Sequence, residues 1–166
     1  MSERVASIVA LCGAILIAAL CSAPEARAAG AVEMQVERIV RTAIREYNGA
    51  MQAGDPADWI KYFTEDVKRS DPAGTQQGKQ DFAAHYAKEF AAFNTQWTPR
   101  RVIVMGRSAA VEFEWSGTRR NSSEPVKVDM VVILELASSG KFDSIAFYYD
   151  TARVAGTGPG ASAAAQ

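Results

Sequence analysis

From Val32 onward apolar side chains return at Val36, Ile39, Val40, Ala43, Ile44, Tyr47, Ala50 and Met51. Steps of three and four predict one long amphipathic helix with Tyr47 on its buried stripe. Gly54 ends that helix, and Asp55-Pro56-Ala57-Asp58 predicts the start of another. Asp55 can accept from the first free N–H groups, and Pro56 suits the first helical position. Trp59, Ile60 and Phe63 then face the core from this short second helix. A third helical spacing follows at Phe82, His85 or Tyr86, Phe90 and Phe93, ending near Asn94.

Beyond Asn94 the period changes to two. Val102 to Met105 forms one run, and Val111, Phe113 and Trp115 alternate with Ala110, Glu112 and Glu114 in the next. Val126 to Leu136 and Phe142 to Tyr149 complete the set, with turns at Arg119-Arg120-Asn121-Ser122-Ser123 and Ser138-Ser139-Gly140-Lys141. Three N-terminal helices followed by a meander of antiparallel strands predict an α+β domain whose helices cover one face of a curved sheet. Such a sheet curls into an open cone with an apolar interior, suited to a small molecule.

The two ends of the 166-residue chain fall outside this pattern. Arg4, the apolar run VASIVALCGAILIAALC and then SAPEARAAG read as a cleavable export signal over residues 1–28, with Ala26-Arg27-Ala28 placing the cut after Ala28. The uncharged run from Val5 to Pro24 also suits a retained anchor. Lipidation at Cys21 is a further alternative, although Leu20 stands where a small residue is wanted. Cleavage would place the mature chain in the periplasm or the medium, with no hold on the membrane. It would also remove Cys12 and Cys21, the only cysteines. Residues 155–166, rich in Gly, Ala and Ser without apolar periodicity, predict a disordered tail. The folded domain is therefore 32–154. Eighteen basic and nineteen acidic residues, intermixed, give a net charge of −1 and no footprint for nucleic acid. One histidine without a supporting ligand set predicts no metal, and no other cofactor is expected.

Specific residues carry a resemblance over most of the folded part. They are Tyr47 followed by NGAMQAGD, the stretch WIKYFTEDVKRSDPAG, Gly78 opening a helix with Phe82 and Tyr86, and FYYD at the last strand. In these the chain resembles the NTF2-like (cystatin-like α+β barrel) superfamily and, within it, the SnoaL-like and ketosteroid isomerase-like group. The resemblance implies the cone fold and homodimerisation. It puts Asp71 on the general base and Tyr47 on the phenol that donates to the developing oxyanion, while Val132 falls where the isomerases carry a protonated aspartate. It also implies a pocket lined by Phe63, Phe82, His85, Tyr86, Phe113, Trp115, Val132, Phe147 and Tyr149, with Asp150 as a polar pocket or sheet-end residue.

Proton abstraction needs a carboxylate in an apolar cup, where lost hydration improves it as an acceptor, opposite a donor that meets the negative charge as it forms. Asp71 and Tyr47 supply one of each. The same two residues have structural readings. Asp-Pro starts turns and its carboxylate can bond the backbone two residues on, and a buried tyrosine is commonly core with its hydroxyl partnered. The sequence thus supports an exported isomerase or cyclase acting beside a carbonyl. It equally supports a non-catalytic module of the same fold that binds a small apolar molecule or pairs with a second chain.

Overall fold

The computed structural model describes the backbone of residues 3–151 and side chains from residue 28 onward. The expected leader over 1–28 falls, but for residue 28, where side chains are not described, and the expected tail over 155–166 lies outside the described residues.

Helix α1 (Glu3–Ala53) carries the predicted stripe, with Val36, Val40, Ala43, Ile44, Tyr47, Ala50 and Met51 all buried. Gly54, in the left-handed region at φ 74°, ends it. The Asp55 carboxylate accepts from Ala57 N at 2.9 Å and launches α2 (Ala57–Ile60), which buries Trp59 and Ile60. Phe63 does not belong to that helix: it opens β1 (Phe63–Asp71), which hairpins into β2 (Gly74–Gln77). Helix α3 (Lys79–Ala92) follows and buries Phe82, Tyr86, Glu89 and Phe90.

The meander β3 (Phe93–Met105), β4 (Ser108–Arg119), β5 (Pro125–Leu136) and β6 (Phe142–Tyr149) is antiparallel throughout. β3 starts at Phe93, directly after α3 and well before Val102, because the alternation already begins with Phe93, Thr95 and Trp97 buried. The sheet is larger than four strands, in the order β2-β1-β6-β5-β4-β3, and it is curved and unclosed. It is also mixed: β1 runs parallel to β6, with Arg69 opposite Ile145. Parallel neighbours are joined by long connections and leave no turn signal, so this pairing has no local sequence mark. Pro99 sits at a bulge in β3, an edge strand, where its missing N–H breaks no ladder between two sheet neighbours.

Two sets of buried or part-buried hydrogen bonds fasten the helices to the sheet and to one another. The Asn48 amide, next to Tyr47, donates to Trp97 O at 3.0 Å and accepts from Trp97 N at 2.8 Å, fixing α1 to β3. Arg120, just past β4, donates Nε to Phe90 O and Phe93 O, both at 2.8 Å, and Nη2 to Met51 O at 3.2 Å. One side chain thus satisfies carbonyls at the ends of both α1 and α3, which those helices cannot satisfy themselves.

Candidate functional site

The concave side of the sheet is filled largely by aromatic rings. Around Tyr47 stand Trp59 (5.4 Å between centroids), Phe90 (5.5 Å), Tyr86 (6.1 Å) and Trp97 (4.4 Å), and Trp97 stacks on Phe113 at 4.5 Å. Of the expected pocket residues, Phe63, Phe82, Tyr86, Phe113, Trp115 and Val132 are fully buried and covered by their neighbours. Phe147 is slightly more open. His85 and Tyr149 are partly buried, and Asp150 is exposed just beyond β6.

Two buried polar pairs interrupt this apolar packing. In the first, the Tyr47 hydroxyl donates to Glu89 Oε1 at 2.7 Å. Burial, and then the Glu89 charge, push the phenol well above its ordinary pKa, so it stays protonated and acts as a donor. The Trp115 indole N–H faces the same hydroxyl and counters a little of that shift without closing a hydrogen bond. The other Glu89 oxygen lies 3.7 Å from His85 Nε2, one helical turn back on α3. That nitrogen is itself buried and makes no hydrogen bond among the described residues. Tyr47, Glu89 and His85 thus form a chain from the fully buried Tyr47 to the partly buried His85.

In the second pair, Arg69 Nη1 meets Asp71 Oδ2 at 2.7 Å, with the two side chains only 5% and 3% exposed. Asp71 Oδ1 meanwhile accepts from Ala73 N at 2.8 Å and Gly74 N at 3.1 Å, closing the β1–β2 turn. One carboxylate therefore makes the turn with one oxygen and holds a buried guanidinium with the other. The guanidinium lies over the Phe147 ring at 5.3 Å. It belongs to the same electrostatic neighbourhood as Tyr86, whose hydroxyl burial pushes up in pKa while Arg69 partly restrains it. Tyr149, partly buried, is pushed up too, by burial and then by Asp71.

Sequence reasoning did not single out Glu89, Arg69 or Trp97. Glu89 lies on the stripe of Phe82, Tyr86 and Phe93, and a charge on an apolar stripe was the available signal. Arg69 stands two residues from Val67 and two from Asp71, on the inward face of β1 by strand period. Among the described residues no three His, Cys, Asp or Glu side chains converge as a metal site would require.

Helices laid over a curved, unclosed mixed sheet, with polar groups held on its concave side, define an α+β cone of the NTF2-like class. The family model of the SnoaL-like domain matches residues 44–145, more than half of the chain, and the protein belongs to that family. Among solved structures, the chain is similar to a Jannaschia sp. CCS1 protein assigned as a SnoaL-like polyketide cyclase. The identity is 20% and the TM-score 0.65, covering 74% of this chain and 90% of that one. It is also similar to an NTF2-like protein from Anabaena variabilis, at 17% identity and TM-score 0.63, covering 70% and 90%. A third is the epoxide hydrolase/cyclase-like enzyme SalBIII of pyran ring formation in salinomycin, at 22% identity and TM-score 0.60, covering 73% and 95%. At these identities the likeness is one of fold. No curated protein matches the sequence.

Proposed function

We propose that the protein is an exported acid–base enzyme of isomerase or cyclase type, moving a proton beside a carbonyl in a small, largely apolar molecule. The observation that carries this reading is the buried Tyr47–Glu89 hydrogen bond with the partly buried His85 next in line. His85 is the least buried of the three. It takes the proton and returns it to another atom of the same molecule, so no co-reactant is consumed. Glu89 orients the imidazole and meets the charge it gains, and Tyr47 fixes Glu89. The 3.7 Å gap between His85 and Glu89 suits a pair that tightens once substrate is bound. The family resemblance makes Asp71 the base. In our reading it is a positioning residue, because its oxygens already serve Arg69 and the turn. Two structural neighbours named for cyclase chemistry support the reaction class.

The test is exchange of the protons beside the carbonyl of benzylacetone in heavy water, followed by NMR. The wild type is expected to accelerate exchange, with a loss of about 10²–10⁴ in His85→Ala and Glu89→Gln. Binding without exchange would favour the second reading, a non-catalytic module, which the close aromatic packing of the interior supports. Export rests on the leader pattern, and a mature protein starting at Ala29 by mass spectrometry is its check. A second copy of the chain is the proposed partner through the outer sheet face. There Ile103, Ala110, Ile133 and Ala146 form one apolar row across four strands. A monomer in sedimentation would reject that pairing.

A further inference from the structure

Beyond residue 28, the arginines of α1 gather on the side of the helix turned away from the core. Met34, Arg38, Arg41 and Arg45 follow at steps of four, three and four, which puts them on one face, opposite the buried stripe of Val36, Val40, Ala43 and Tyr47. All four are exposed, Met34 at 70%. With Glu37 and Thr42 they line a groove of about 290 Å³ along this face. The acids on this part of α1 are placed differently. Glu33 accepts from Gly106 N at 3.1 Å and Glu46 meets Lys61 Nζ at 3.5 Å, so both are turned to the flanks and engaged. Glu37 alone stands among the arginines, paired with Arg41 at 2.7 Å. Three arginines against one glutamate give the groove a formal net of +2 in a chain whose net charge is −1. Among the described residues Arg45 reaches Thr42 Oγ1 at 3.1 Å but no anion, and Arg38 makes no hydrogen bond or ion pair.

We propose that this face docks an acidic helical segment of a partner protein. Charge and spacing carry the recognition. Arg38 and Arg45 lie about 10 Å apart along the helix axis. Carboxylates at the same spacing on a second helix meet Arg38, Arg41 and Arg45 in turn, and a guanidinium offers each one a planar pair of donors. An apolar side chain one turn before the first acid covers Met34. The surroundings favour a narrow occupant over a broad one. A flat anionic membrane or a nucleic-acid duplex laid on this face also meets the flanking carboxylates of Glu33, Glu46 and Asp58. A single helix in the groove meets the arginines with only Glu37 in competition. The face lies on the opposite side of α1 from the concave interior, so the proposal does not depend on the reaction assigned there.

Fluorescence anisotropy at low salt tests this on the purified protein. The probe is a labelled, alanine-rich helical peptide of about twenty residues carrying Leu, Glu, Glu and Glu at the spacing of Met34, Arg38, Arg41 and Arg45. It is expected to bind with a Kd below about 1 mM, and about tenfold tighter than the same peptide with Gln for Glu. Salt near 1 M, where charges are screened within about 3 Å, should release it. Arg38→Gln combined with Arg45→Gln should weaken binding about tenfold. Lys68→Gln combined with Lys88→Gln removes the same charge from exposed positions on β1 and α3 and should change it by less than about twofold. Glu37→Gln removes the competing carboxylate and should tighten binding by about two- to threefold. No binding of the Glu peptide, equal binding of the Glu and Gln peptides, or an equal loss in the two double variants overturns the proposal. Tighter binding to phosphatidylglycerol vesicles or to a DNA duplex overturns it in favour of a membrane or a nucleic acid. Self-association that the Arg38 and Arg45 changes abolish overturns it in favour of a second copy of the chain.

Discussion

Tyr47 and Glu89, 42 residues apart in the chain, meet at 2.7 Å with phenol donating to carboxylate and both side chains shut away from water. Tyr47→Phe removes the donor and leaves a buried carboxylate oxygen with less than it needs. A loss of about 1–3 kcal/mol in urea unfolding is expected. Glu89→Leu in the Tyr47→Phe background removes the stranded group, so the double variant should be more stable than the sum of the two singles predicts. A double-mutant cycle measures the difference. Strict additivity would mean that the pair contributes nothing as a pair.

The same burial sets an alkaline limit on the fold. Tyr47, Tyr86 and Tyr149 all have phenol pKa values raised above the ordinary value near 10, chiefly by loss of hydration. In the unfolded chain they ionise at about pH 10, whereas in the folded chain they hold their protons longer. Their contribution is thus fully present below about pH 10 and is lost as pH rises toward the folded values, by up to about 1.4 kcal/mol per pH unit per group. Tyrosinate absorbance from Tyr47 and Tyr86 should appear together with the loss of circular dichroism. Ionisation of both ahead of unfolding would contradict their burial.

Asp71 and Asp55 both close turns through the backbone N–H two residues on, yet they should respond differently to the same change. Asp71→Asn can keep the turn bonds but presents an amide to Arg69 and leaves a buried guanidinium without its anion. The expected cost is about 3–5 kcal/mol. Asp55→Asn keeps its exposed bond to Ala57 N and should stay within about 0.5 kcal/mol of wild type. Thermal unfolding of the two variants side by side is sufficient. Equal effects would mean that the Arg69 pair adds nothing to the turn.

What could be read from the chain was set by the range over which its patterns act. The stripe on α1 from Val36 to Met51, the alternation in β4 and the turn at Asp71 are local, and each is written within a few residues. The buried pairs are not local: Glu89 acquires its meaning only when α3 is laid against α1, and Arg69 only when β1 has joined β6 in parallel. A periodic apolar face does identify a charged residue that must be partnered. It does not identify the partner, which here comes from another helix for Glu89. For Arg69 the partner is a neighbour that had already been read as a turn residue.

Two glycines give the fold its most direct test, because the same substitution should act in opposite directions. Gly117 in β4 lies opposite Thr95 of β3, and a Cβ there would sit 2.1 Å from Asn94 O and 2.6 Å from Thr95 Cα. Both are backbone atoms and cannot swing away, so Gly117→Ala forces the long β3–β4 pair apart just where Phe93 and Trp97 cover the interior. A loss of about 1–3 kcal/mol or more is expected. Gly49 stands on the exposed side of α1, between Asn48 and Ala50, with nothing within 4 Å of its would-be Cβ. Gly49→Ala lowers the backbone entropy lost on folding and should stabilise by about 0.5–1 kcal/mol. Melting temperatures moving down for the first and up for the second would confirm both the strand register and the solvent face of the helix. If Gly117→Ala is neutral, β3 and β4 do not approach at Thr95 as closely as described.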